Sequence, residues 1–163
     1  MAGEKVPEDV LRWSGIAVEP GWIDYNGHLN MAAYLVVFDR AVDRLIERVG
    51  LSAGPGTAPT IFAASAKVDY RREVGADERM DCLTGVIALD GKRVHTWQEL
   101  RVGGDVRACC ENLHVHVDRA GPRAVPFAPD VRARLEALIG PAPEWTARAV
   151  AHRMGSGRTE RRG

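Results

Sequence analysis

The densest run of chemically capable side chains is Trp22-Ile23-Asp24-Tyr25-Asn26-Gly27-His28-Leu29-Asn30. It places an acid, an amide, an imidazole and a second amide within seven residues, immediately before a long apolar stretch. Groups set against such a stretch are partly desolvated, and desolvation raises a carboxylate pKa and with it the basicity of the group. Asn30 suits the N-cap of a helix that begins at Met31, where unpaired backbone N–H groups and the positive end of the dipole face outward. Together these features make a carboxylate beside an oxyanion site. The same residues also suit plain architecture: Asp24 capping a turn, Asn26-Gly27 forming it, His28 satisfying a buried backbone group and Asn30 serving only as a cap.

Other chemistries find no support. The serines, Ser14, Ser52, Ser65 and Ser156, include none in a G-x-S-x-G elbow. Gly85 to Lys92 has the wrong glycine spacing for a phosphate loop and lacks a following Ser or Thr. No G-x-G-x-x-G opens a helix after a strand, so a dinucleotide cofactor is not implied. Cys82, Cys109 and Cys110 form no C-x-x-C pair and read as buried thiols. His114, His116 and Cys110 share one strand face, a geometry that could ligate a metal, but an alternating polar face explains it and no carboxylate joins them, so no metal is expected. Lys plus Arg and Asp plus Glu both total 22 among 163 residues, so no net basic field favours nucleic acid or an anionic membrane. No stretch approaches a spanning helix and the first residues lack a secretory apolar core, which points to the cytoplasm.

The elements that must position the cluster follow from pattern. A helix is expected from about Asn30 to Val49, closed by Gly50. Met31 to Phe38 is apolar throughout, implying burial on all sides, after which Phe38, Val42, Leu45 and Val49 form one stripe and Arg40, Asp43, Arg44, Glu47 and Arg48 the wet face. Ser14–Val18 and Ile61–Tyr70 read as strands. Met80–Leu89 and Arg93–Val102 read as a hairpin on Asp90-Gly91, with a type I′ turn. A second turn over Val102–Val106 leads to a long strand ending at Asp118. Pro126 and Pro129 introduce a short helix from about Asp130 to Ile139, closed by Gly140 and Pro141. The expected organisation is one α+β domain over residues 1–140 and a partly disordered tail, 141–163, rich in arginine. One sheet with one buried helix has too few layers unless the sheet wraps the helix or a second protomer covers it.

Asp24-Tyr25-Asn26-Gly27-His28-Leu29-Asn30, followed by Tyr34 and Phe38-Asp39-Arg40-Ala41, resembles the hot-dog-fold acyl-CoA thioesterases of the 4-hydroxybenzoyl-CoA thioesterase type. The resemblance continues through Val68-Asp69-Tyr70-Arg71-Arg72, Gly91-Lys92-Arg93-Val94-His95, His116-Val117-Asp118 and Pro126-Phe127, covering about Ser14 to Leu138. It implies an antiparallel sheet of about five strands wrapped around a central helix. It also implies a homodimer or homotetramer, an acyl-CoA substrate and no cofactor beyond the coenzyme A of that substrate. Asp24 takes the role of general base or nucleophile, and the Met31 N–H that of the donor polarising the thioester carbonyl. Plant acyl-carrier-protein thioesterases carry Asp, Asn and His at alternate positions of a comparable string, which extends roles to Asn26 and His28.

A thiolate with a pKa near the cysteine value of about 8.5 leaves readily, so such a site needs a positioned nucleophile and oxyanion donors more than an acid. Trp22-Ile23-Asp24-Tyr25-Asn26-Gly27-His28 and Lys92-Arg93-Val94-His95 further resemble thioesterase modules associated with carnitine dehydrogenases and betainyl-CoA cleavage. A quaternary ammonium suits an aromatic cage, for which Trp22, Tyr25 and Trp97 are the available rings. Asn30 and Tyr34 join them as substrate contacts, and Arg71, Arg72 and Arg123 are candidates for the phosphates of coenzyme A. Where an acid and a histidine are expected after Phe62 in those modules, this chain has Ser65 and Lys67. The rival functions are a hot-dog enoyl-CoA hydratase and a non-catalytic acyl-CoA sensor.

Overall fold

The computed structural model describes residues 7–146. Strand β1 (Val10–Ala17) leads through a 3-10 turn (Pro20–Trp22) into α1 (Met31–Arg48), and then come β2 (Thr60–Tyr70), β3 (Arg79–Leu89), β4 (Arg93–Val102), β5 (Asp105–Asp118), the two-residue β6 (Arg123–Ala124) and α2 (Pro129–Glu136). The sheet runs β1-β3-β4-β5-β2 with β6 on β5, and all its pairings are antiparallel. This is the hot-dog arrangement, one helix held against a long antiparallel sheet.

Helix α1 starts where Asn30 accepts hydrogen bonds from the Ala32 and Ala33 N–H groups at 2.8 and 3.1 Å, and ends at Gly50 in the left-handed region (φ 82°). Its apolar stripe, Ala33, Tyr34, Val37, Phe38, Ala41, Val42, Leu45 and Ile46, packs on inward side chains such as Met80, Cys82, Leu100 and Cys110. A polar tie fixes its height on the sheet: Gln98 Nε2 donates to the Phe38 carbonyl at 2.8 Å, and Asn112 Nδ2 donates to Gln98 Oε1 at 2.8 Å. Phe127, Val131, Leu135 and Leu138 close the far end of the core over Val42, Leu45 and Val49.

Burial on all sides of Met31–Phe38 does not hold within one chain. Met31 is 71% exposed, and Leu35 and Val36 also face outward, because α1 meets the sheet along one side only. The first strand begins at Val10, four residues before the expected start. The Asp90-Gly91 turn is not type I′, since Gly91 does not take a positive φ. Asp90 Oδ1 instead accepts from the Lys92 and Arg93 N–H groups and the side chain itself builds the turn. The type I′ geometry falls one hairpin later, at Gly103 and Gly104 (φ 59° and 93°), between paired Val102 and Asp105. Helix α2 ends at Glu136, short of the expected Ile139. The chain then turns along β3, with the Gly140 N–H donating to the Val86 carbonyl, and Trp145 Nε1 donates to Glu99 Oε1 at 2.7 Å. The remainder of the expected tail lies outside the described residues. The three cysteines are free and buried, as expected, and burial pushes the Cys110 thiol up to about 12.

Candidate active site

The loop before α1 is a small hairpin. The Asp24 N–H donates to the His28 carbonyl at 2.8 Å, the Gly27 N–H donates to the Asp24 carbonyl at 3.0 Å, and Gly27 takes φ 81°. This is the pattern of a three-residue hairpin loop closed by a left-handed glycine. Two further bonds anchor it: Leu29 N–H to the Val74 carbonyl and Asn30 N–H to the Trp22 carbonyl, both 2.8 Å.

Within that hairpin Asp24 Oδ1 accepts from the Asn26 N–H at 2.8 Å and the His28 N–H at 3.3 Å. The expectation of a raised pKa is overturned. Partial desolvation does push the carboxyl upward, but the backbone donors of Asn26 and His28, with the Asn26 side chain and the His28 ring assisting, hold it below the ordinary value of 3.8. Asp24 therefore caps its turn and remains ionised, and it does so at the lip of a crevice.

That crevice, about 400 Å³, is lined by Asp24, His28, Met31, Tyr34, Tyr70, Arg71, Arg72 and Glu73, with Leu29 beneath. No protein acceptor among the described residues takes the Met31 N–H, which stays available at the helix start. Tyr34 meets Tyr70 edge to face at 5.1 Å, and the Tyr70 hydroxyl donates to the Met31 carbonyl at 3.1 Å, tying the first turn of α1 to the end of β2. Arg71 Nε reaches Cys109 Sγ at 3.3 Å and Arg72 approaches Asp105 at 3.5 Å, leaving both guanidinium groups largely exposed at the rim.

The other expected residues do not converge there. Asn30 is the helix cap. Asn26 is exposed and contributes its amide to Asp24. Tyr25 is 97% exposed, Trp22 lies under the Arg40 guanidinium at 5.1 Å, and Trp97 is buried on the sheet face away from α1, where a Cβ on Gly85 would overlap its ring. The three rings form no cage within one chain. His114 bonds Thr96 at 3.2 Å and His116 faces the Val125 and Pro126 carbonyls, and no group of three metal-binding side chains occurs among the described residues. Tyr70 and Glu73 were missed as site residues. Tyr70 ends a strand beside Arg71-Arg72, but its link to Met31 spans 39 residues and leaves no local signal.

Residues 18–135 match the model of the Thioesterase-like superfamily. The chain belongs to that family. It is 35% identical over 142 residues, 82% of this chain and 89% of the relative, to a betainyl-CoA thioesterase of Pseudomonas aeruginosa. It is also 31% identical over 140 residues to an L-carnitine dehydrogenase/betainyl-CoA thioesterase of Agrobacterium fabrum, of which the match covers 29%. Among solved structures, a putative thioesterase from Pseudomonas putida superposes with a TM-score of 0.71 at 31% identity, covering 85% of this chain and 92% of that one. The PA5185 protein of Pseudomonas aeruginosa gives 0.73 at 29% identity, with coverage of 83% and 96%. No helix among the described residues is long and apolar enough to cross a membrane.

Proposed function

We propose that this thioesterase hydrolyses a coenzyme A thioester in the crevice between the Asp24 hairpin, the start of α1 and the end of β2. The observation that carries the reading is that one crevice receives both an ionised carboxylate and a helix N-terminus with an unclaimed N–H. In the reaction, the Met31 N–H donates to the thioester oxygen as negative charge develops there, a contribution of about 3 kcal/mol for one well-aimed donor. Asp24 either attacks the carbonyl carbon, giving an anhydride that water then opens, or takes a proton from the attacking water. In both routes the coenzyme A thiolate departs without needing an acid. Exposed Arg71 and Arg72 suit the coenzyme phosphates. The relatives act on betainyl-CoA by name, and a small cationic acyl group is the reading we carry to this chain. A water-soluble thioester favours a cytoplasmic reaction.

The chain is expected to work as a homodimer or higher oligomer. Exposed Met31, Leu35, Val36 and Phe62 lie along α1 and β2, and among the described residues β2 has only β5 as a neighbour, which leaves its other edge open there. A second copy laid along that edge would supply the missing cover.

Release of free thiol across short, aromatic, betainyl and long acyl-CoAs tests the assignment. Stoichiometric thiol and acid are expected for at least one of them. Stabilisation by an acyl-CoA with no thiol released would favour a sensor, and consumption of an enoyl-CoA without thiol a hydratase.

A further inference from the structure

Past the crevice, α1 and β2 line further space, with no lining residue shared between the two sites. Met31 and Tyr34 on the helix and Tyr70 on the strand belong to the crevice. One turn further along, Leu35, Val36, Phe38, Asp39 and Val42 on the helix and Ala63 and Ala66 on the strand line a second cavity of about 330 Å³, floored by Asn112 and His114. The two small alanines open the space, and the walls are otherwise hydrocarbon.

Asp39 is the one carboxylate or cation among the lining side chains, and it has no hydrogen-bond or ion-pair partner among the described residues. Its neighbours on the helix are engaged elsewhere, Arg40 with Glu19 at 2.7 Å and Arg44 over the Trp13 ring. The floor brings no competing charge, because burial, with His95 nearby, pushes the His114 pKa down to about 4 and keeps the ring neutral. Beyond Asp39 that space carries a further carboxylate, Asp43, and one guanidinium, Arg119, which is held by the Ala58 and Gly54 carbonyls.

We propose that this cavity holds the acyl portion of the thioester and that Asp39 is a specificity-determining residue, selecting an acyl group that ends in a quaternary ammonium. The proposal rests on the hydrolase reading above. Asp39 is exposed where the hydrocarbon wall opens to solvent, and a carboxylate at such a mouth attracts a cation. A primary ammonium would need acceptors for three N–H bonds, and beyond Asp39 the floor offers little besides Asn112 Oδ1, since Asn112 Nδ2 is a donor held by Gln98 and His114 Nε2 is engaged with Thr96. A quaternary ammonium has no N–H to satisfy, and its methyl groups suit Leu35, Val36 and Val42, the first two on the face that a second copy is expected to cover, which would close the cavity over the acyl group. Asp39 lies two turns past Met31, about 12 Å along the helix axis, and its side chain leans back toward the helix start. The cationic head therefore sits at the far end of a short acyl chain.

The test compares kcat/KM, by thiol release, for two pairs of substrates matched in shape. They are trimethylammonioacetyl-CoA against 3,3-dimethylbutanoyl-CoA, and 4-trimethylammoniobutanoyl-CoA against 5,5-dimethylhexanoyl-CoA. In each pair a carbon replaces the charged nitrogen. The unaltered protein is expected to prefer the cation at least tenfold in one pair or both. Asp39→Asn should reduce that ratio to within about threefold, and Asp39→Glu, which restores the carboxylate, should recover much of it. Thiol release with no preference for the cation in either pair overturns the inference and leaves the hydrolase reading standing. A preference that survives Asp39→Asn overturns it equally. Thiol release from none of the four, nor from other acyl-CoAs, removes the hydrolase reading and this inference together.

Discussion

Asp24 illustrates how one side chain serves structure and chemistry together. By accepting from the Asn26 and His28 N–H groups it fixes the hairpin, and those same bonds keep its carboxyl ionised below the ordinary range. A carboxylate held in this way is a weaker base than one raised by burial, so its contribution depends on placement more than on basicity. The consequence for pH is direct. With the pKa below 3.8, the active ionised form persists through neutrality and is lost only as pH falls through that low value. The acid limb of kcat/KM, measured on a substrate that does not itself titrate, should therefore lie below pH 4. A limb with its midpoint above 5 would mean that another group, or a differently placed Asp24, controls the reaction.

At the scale of elements, the start of α1 is the part the site cannot lose. Asn30 accepts from two N–H groups, and replacing it with alanine leaves them to water, a loss of about 1 kcal/mol. Asn30→Ala should lower the unfolding free energy from denaturant titration by that amount without altering the fold, and an unchanged value would show that packing alone sets the helix start. The position of this element was legible in the sequence because cap, apolar run and terminal glycine agreed. What was not legible depended on contacts distant in sequence. Periodicity could not tell which apolar residues of Met31–Phe38 a single chain leaves exposed, because burial depends on what the sheet reaches. The Asp90 side chain supplied a turn that dipeptide preference assigned to Gly91. Asp24, His28 and Met31 were found beside one another because nearness in sequence gave nearness in space. Tyr70 came to the same crevice only through the antiparallel sheet, and Trp97 pointed away because strand alternation put it on the opposite face.

Across the whole molecule the core is closed around buried polar groups whose protonation couples to folding. An unfolded histidine titrates near 6.5, while His114 in the folded chain is pushed to about 4 by burial and by His95. Between those values the unfolded chain binds a proton that the folded one refuses, so stability falls as pH drops from about 6.5 toward 4, by up to roughly 3 kcal/mol. Burial also lowers His95 against the pull of Glu111, with the same sign. Denaturant midpoints at pH 7.5 and 5 should differ accordingly, and His114→Gln should flatten the difference; an equally steep fall in that variant would assign the acid sensitivity elsewhere. The measurement that bears most directly on the whole account is thiol release by the unaltered protein and by Asp24→Asn on the best acyl-CoA substrate. Both proteins should fold alike by circular dichroism, and the variant should lose at least about 100-fold in rate, the scale of general base catalysis. Equal rates would contradict the account.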